Sequence, residues 1–269
     1  MGTEGLSKAL NVRKVGSGEE TVVLTHGFGA DQSVWDKVVP RLAQSYQVVL
    51  FDWCFSGAVE DRSLFDADKY SSYEPFADDL IALLEELNLK SCVLVAHSMS
   101  GLIACIASIA KPHLFKKLIL VCSSPRFLND TDNDYKGGFE KSEVDQLLFN
   151  IETNFDQWTS GFANVAMGPK DPLSVEYLEK SFKKMGAQVG LAMAKAIFFS
   201  DYRSVLDKVT VQCTLIHAQV DFAVPLEVTT FMHQNIRGEA TIKVVEGEGH
   251  FPQLTAHEEF LKAVLSALT

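Results

Sequence analysis

The chain has 269 residues, 47% hydrophobic and 22% charged, which excludes a disordered chain or a fibre and is long enough to bury a core without a metal or disulfide staple. Its 24 basic and 35 acidic side chains give a net charge of −11, a balance that repels phosphate backbones and anionic lipid and argues against nucleic acid or a membrane surface as a partner. The five cysteines, Cys54, Cys92, Cys105, Cys122 and Cys213, are odd in number and fall mostly in apolar runs, as expected of reduced thiols and not of a disulfide framework.

In chain order, Met1-Gly2-Thr3-Glu4-Gly5-Leu6 has no signal-peptide apolar run and lacks the Ser or Thr that myristoylation needs at its sixth position. The longest apolar stretch, Leu102 to Ala110, is far short of the roughly 20 residues that span a bilayer. The expectation is a cytoplasmic and nuclear protein. Strands are predicted at Asn11–Val15, Thr21–Thr25, Tyr46–Phe51, Ser91–Ala96, Lys117–Cys122, Gln212–His217 and Thr241–Val245. Runs such as Cys92-Val93-Leu94-Val95-Ala96 are apolar throughout, the mark of strands covered on both faces. Between them lie helical patterns, the clearest spacing Tyr73, Phe76, Leu80, Leu83, Leu84 and Leu87 by threes and fours. Such alternation implies an α/β fold with a doubly wound, mostly parallel sheet.

From Pro125 to about Ser204 the alternation stops. Helical patterns recur at Glu143–Asn154, Val175–Met185 and Val189–Phe199, amid Phe127, Phe139, Phe149, Phe155, Phe162, Phe182, Phe198 and Phe199. The stretch reads as a helical lid over the sheet's C-terminal edge, where α/β proteins bind ligands. The expected organisation is one domain spanning 1–269, with a core of about 1–125 and 205–269 and a lid of about 126–204.

The chemistry-bearing residues sit at the strand ends. His97-Ser98-Met99-Ser100-Gly101 follows a buried strand and precedes an apolar helical run, the context of a nucleophile elbow. Ala96 and Ser100 stand where the G-x-S-x-G consensus has glycine. A serine hydroxyl needs a base and the base an orienting carboxylate. His250, after the last strand, is the candidate base. The strand before Ser123-Ser124-Pro125 supplies no acid, which leaves Asp221, in Val220-Asp221-Phe222-Ala223-Val224-Pro225. A turn or helix cap is the competing reading of Asp221. The oxyanion hole is assigned to the backbone N–H groups of Met99 and of Phe28, in His26-Gly27-Phe28-Gly29. His26 and His217 read as structural, and His97 as lining the pocket or packing below the elbow. No metal-ligand spacing, G-x-G-x-x-G or Walker loop is found, so no cofactor is expected.

With these residues placed, the chain resembles the plant karrikin-receptor and strigolactone-receptor family of α/β hydrolases, related to the bacterial regulator RsbQ. The resemblance rests on His26-Gly27-Phe28-Gly29, Asp31-Gln32-Ser33-Val34-Trp35, the elbow, Ser124-Pro125-Arg126-Phe127-Leu128-Asn129-Asp130, Gly137-Gly138-Phe139-Glu140, Ser200-Asp201-Tyr202-Arg203, Asp221-Phe222-Ala223-Val224-Pro225 and Gly249-His250. It implies a four-helix lid, a ligand pocket of Phe28, His97, Phe127, Phe139, Phe162 and Phe198, and slow hydrolysis of a small butenolide-type lactone. It also implies signalling by a monomer through a leucine-rich-repeat F-box protein and a repressor substrate. The chain departs from the family's Asp-Asn-Met-Gly-Ala-Gly at Asp52-Trp53-Cys54-Phe55-Ser56-Gly57. A metabolic esterase or lactonase without a signalling role is the alternative.

Overall fold

The computed structural model describes residues 5–168 and 171–269; the first four residues, on which part of the leader reading rests, lie outside that range. All seven predicted strands form: β1 (Arg13–Val15), β2 (Thr21–Thr25), β3 (Gln47–Leu50), β4 (Cys92–His97), β5 (Phe115–Val121), β6 (Gln212–Val220) and β7 (Ala240–Glu248). They join one sheet in the order β1-β3-β2-β4-β5-β6-β7. Only β1, at the edge, runs antiparallel to its neighbour. Central β4 pairs Val23 with Leu94 on one side and Leu94 with Leu118 on the other, and all six of its residues are buried. This is the continuous apolar strand of a sheet covered on both faces.

Counting helices of eight residues or more among the described residues, these are α1 (Glu74–Glu86), α2 (Met99–Ala110), α3 (Lys141–Thr153), α4 (Phe155–Met167), α5 (Pro172–Met185), α6 (Ala187–Phe198), α7 (Leu226–Asn235) and α8 (His257–Leu268). Helix α1 carries Pro in its first turn and buries Phe76, Leu80, Leu83 and Leu84, the predicted stripe. Helix α3 starts with a reciprocal capping box between Glu140 and Glu143. Helix α5 starts with Pro172 behind Asp171, whose carboxylate accepts the Ser174 N–H at 3.1 Å.

Four helices, α3 to α6, lie between β5 and β6 where three helical patterns were legible. The additional one is α4, whose Thr159, Ser160 and Gly161 are weak helix formers. Burial of Trp158, Ala163, Ala166 and Met167 on one face offsets that weakness. Ion pairs tie the two ends of the insertion together. Arg126 donates to Asp201 at 2.5 Å, and Arg203 donates to Asp130 at 2.8 Å and to Asp201 at 2.7 Å. The Tyr202 N–H reaches the Pro125 carbonyl at 2.8 Å. Burial alone would raise the Asp201 pKa, but the Arg203 and Arg126 hydrogen bonds outweigh it and hold the carboxyl down at about 2. The Ser-Pro-Arg and Asp-Tyr-Arg motifs are thus the two halves of one clasp.

Candidate active site

Ser98, Cys122, Asp221 and His250 follow four parallel strands, β4, β5, β6 and β7, so the fold gathers them on the sheet's carboxyl edge. Ser98 is held at φ 57°, ψ −124°, a conformation costly for a residue with a Cβ. Its N–H donates to the Val121 carbonyl at 2.8 Å and its carbonyl accepts from the Gly101 N–H at 3.0 Å, so both neighbours enforce the turn. The second absent consensus glycine, replaced by Ser100, is explained locally. At Gly101, one position further on, a Cβ would meet Ser123 Oγ at 2.0 Å, so the close approach falls there and Ser100 is free to carry a hydroxyl.

The three residues of the predicted relay meet. Ser98 Oγ lies 2.9 Å from His250 Nε2, and His250 Nδ1 lies 2.8 Å and 3.1 Å from the two Asp221 oxygens. The carboxylate is fully enclosed, and it also accepts the Ala223 N–H at 2.8 Å. Burial pushes the Asp221 pKa up, but its electrostatic pairing with His250, the hydrogen bonds from His250 and Ala223 and, less, the neighbouring His217 pull it below the ordinary carboxylate value. It is therefore an ionised acceptor, and the His250 proton sits on Nδ1 facing it. That leaves Nε2 a lone pair aimed at the Ser98 hydroxyl, the geometry for removing its proton. Asp221 is not merely a turn cap.

The loop His26–Gly29 runs alongside the elbow. A Cβ on Gly27 would sit 2.8 Å from His97 Nδ1 and 3.0 Å from Ser98 Cβ, so glycine is what permits the approach. Among the described residues, neither the Phe28 nor the Met99 N–H donates a hydrogen bond within the protein. Both donors predicted for an oxyanion are thus unspent.

Above Ser98 lies a cavity of about 30 Å³ lined by Phe28, Phe127, Phe162, Ile197, Phe198, Phe222, Ala223, His250 and Phe251. Four of the predicted pocket phenylalanines line it, and two predicted pocket residues do not. His97 is turned beneath the elbow, where its Nε2–H donates to the His250 carbonyl at 2.8 Å. Burial and the neighbouring His250 drive its pKa down to about 3, so the ring is neutral. Phe139 stands behind the lining, its ring against those of Phe127, Phe198 and Phe222. The sequence reading missed Phe222 and Phe251, each directly following a member of the relay. That adjacency was the available signal.

Cys122 Sγ, Asp221 and His250 offer ligand atoms within 4.8 Å of one another. Burial and the Asp221 charge push the Cys122 thiol well above its ordinary pKa, and burial pushes Cys54 up to about 12. Both are protonated thiols, not nucleophiles, and all five cysteines are buried and free.

Comparison with known proteins agrees with this geometry, since the sequence profile of the α/β hydrolase family matches residues 22–263. The chain belongs to that family. Within it, this hydrolase is 43% identical over 261 residues to the Karrikin insensitive 2 receptor IA of Petunia hybrida, covering 97% of this chain and 94% of that protein. It is 38% identical over 268 residues to a strigolactone esterase of Arabidopsis thaliana, covering 100% of this chain and 99% of that one. A solved hydrolase from Oleispira antarctica superposes with a TM-score of 0.92 at 31% identity, over 97% of this chain and 95% of that one. Among the described residues, no helix is long and apolar enough to cross a membrane.

Proposed function

We propose that this hydrolase is a receptor for a small butenolide-type lactone which it also hydrolyses slowly, with Ser98 as nucleophile, His250 as general base and Asp221 as the carboxylate that orients it. The observation that carries the reading is the Asp221–His250–Ser98 relay lying under an aromatic cavity. In the first step Ser98 Oγ bonds to the ligand's carbonyl carbon while its proton passes to His250 Nε2. The carbonyl oxygen becomes an oxyanion, received by the Phe28 and Met99 N–H groups. The tetrahedral centre then expels the ester oxygen, which takes the proton from His250. Water, deprotonated by His250, attacks the acyl-serine, frees the acid and restores Ser98.

The insertion is proposed to act as a lid within a single domain. A cavity of about 30 Å³ has room for about two water molecules by this measure, whereas a benzene-sized ring occupies one of about 150 Å³. Binding therefore needs the aromatic wall to move. A lid that must rearrange for entry and release can limit turnover even where the chemistry is fast. It can also report occupancy, provided the ligand favours one arrangement over the other. By resemblance, the reader of that arrangement is a leucine-rich-repeat F-box protein that recruits a repressor to a ubiquitin ligase. Five buried free thiols fit a monomer working in the reducing cytoplasm and nucleus.

The test is turnover and melting temperature on one butenolide panel, for wild type and Ser98→Ala. We expect turnover well below the median of ~10 s⁻¹ for enzymes, a ligand-induced melting shift, and loss of both hydrolysis and the hydrolysis-dependent shift in Ser98→Ala. The loss in rate is on the order of 10⁴–10⁶-fold. Fast turnover without a melting shift favours the metabolic esterase. Near wild-type turnover by Ser98→Ala removes the nucleophile assignment.

A further inference from the structure

We propose that Trp53 is a positioning residue for the Phe28 N–H, acting through His26 and Ser100; this rests on the reading of that N–H as an oxyanion donor. Trp53 is buried, follows β3, and touches the oxyanion loop twice. Its backbone N–H donates to His26 Nε2 at 3.0 Å. Its indole N–H is shared between the His26 carbonyl at 3.0 Å and Ser100 Oγ at 2.9 Å. The Ser100 hydroxyl in turn donates to the same His26 carbonyl at 2.6 Å.

Proton accounting then fixes His26. Nε2 accepts from Trp53, so the ring proton is on Nδ1, which donates to the Gly27 carbonyl at 2.9 Å. Burial, the largest influence on this ring, lowers its pKa and keeps it in that neutral tautomer despite nearby Asp52. The Gly27 carbonyl and the Phe28 N–H belong to one rigid peptide plane, so holding the carbonyl aims the N–H. The preceding peptide plane is held as well, because its carbonyl is that of His26. Two consecutive planes are thus clamped by groups reaching in from the β3 loop and from the elbow helix α2. Glycine at 27 carries no Cβ to resist the setting. The clamp ties the donor loop to the helix that starts one residue after Ser98, so donor and nucleophile move as one unit.

Trp53, His26 and Ser100 do not line the cavity, so the clamp acts on the transition state and not on ground-state binding. Its test is Trp53→Phe, which keeps a ring against Phe51 and Phe76, the edge-on neighbours of Trp53, and keeps the backbone N–H to His26, while removing the indole donor together with part of the buried ring volume. Ser100→Ala is the second variant, carrying the test if Trp53→Phe does not fold. For p-nitrophenyl acetate, deleting an oxyanion donor outright costs roughly 10²–10³ in kcat, so misaiming one is expected to cost about tenfold. KM should stay within about twofold. Affinity for a phenylboronic acid, which forms a tetrahedral adduct on Ser98, should fall in step with kcat, and the pH midpoint of kcat/KM should not move. A purely packing role lowers the melting temperature and leaves kcat and boronate affinity unchanged, and that result overturns the proposal. Retained activity in Ser98→Ala instead overturns the reading beneath it, so the two failures are distinguishable.

Discussion

The two sides of Ser98 are held by different forces. On the sheet side, His26, Trp53, Ser100, Asp221 and His250 are fixed by hydrogen bonds with specific donors and acceptors. On the insertion side the cavity wall is ring against ring: Phe28 on Phe182 at 5.0 Å, Phe162 on Phe182 at 5.5 Å, Phe162 on Phe222 at 5.5 Å and Phe127 on Phe198 at 5.4 Å, with a backbone hydrogen bond from the His250 N–H to the Ala166 carbonyl at 2.7 Å tying helix α4 to the relay. Buried hydrogen bonds are directional and costly to leave unmade. Aromatic pairs are worth about 0.5–1.5 kcal/mol each and tolerate several geometries. The polar side can hold chemistry in register while the aromatic side yields to a ligand. On the proposed reading, catalysis belongs to the one and access to the other.

The largest effect should come from breaking the polar side. Asp221→Asn keeps the side-chain shape and a hydrogen-bonding oxygen, but loses the charge that fixes the Nδ1–H tautomer and stabilises the imidazolium. The expected loss in kcat is about 10⁴-fold, measured on p-nitrophenyl acetate with the melting temperature as a control. Activity within tenfold of wild type would mean that some other carboxylate serves His250.

Softening the aromatic side should alter selectivity more than chemistry. Phe222 packs edge-on to Phe162, Phe139 and His250, so its ring closes the cavity directly beside the relay. Phe222→Ala should raise kcat/KM for p-nitrophenyl butyrate, which is two methylenes longer, relative to acetate by at least about 10-fold, the low end of what a pocket discriminates for a single methylene. Phe139→Ala, one layer behind, should shift that ratio less. An unchanged ratio in Phe222→Ala would show that access is limited elsewhere, by the α3–α6 insertion as a body.

The contrast also explains what could be read from the sequence. Strands are short-range patterns, and apolar runs such as Cys92–Ala96 announced them directly. The relay was legible because each member closes a strand and the fold brings parallel strand ends to one edge. Side-chain direction at a tight turn is not a pattern property. His97 and Ser98 are adjacent, yet one ring is turned under the elbow to the His250 carbonyl and the other hydroxyl faces the cavity. Phe139 and Phe222 could not be ranked for the same reason, since which ring lines and which backs the wall depends on packing between segments far apart in sequence. Helix α4 escaped because its stability is tertiary, and the Trp53 clamp because its three members come from three separate segments.

The smallest expected effect concerns how the polar side responds to acid. His97 is enclosed and neutral, with its pKa lowered to about 3, first by burial and then by His250; burial also lowers those of His26 and His217. In the unfolded chain each returns to about 6.5. Below that pH the unfolded state binds protons that the folded state refuses. Stability is therefore complete above about pH 6.5 and falls as pH drops, by up to ~1.4 kcal/mol per pH unit for each such histidine. Asp221, whose pKa is also lowered, adds a loss of the same sign only near pH 4 and below. His97→Gln presents an amide N–H where the ring has Nε2–H, so the bond to the His250 carbonyl can persist without a titrating group. Urea midpoints at pH 7, 6 and 5 should fall less steeply in His97→Gln than in wild type, by up to one proton's worth of slope. Parallel slopes would mean that His97 takes up its proton in the folded state, and the polar side would then be less rigidly closed to charge than its hydrogen bonds imply.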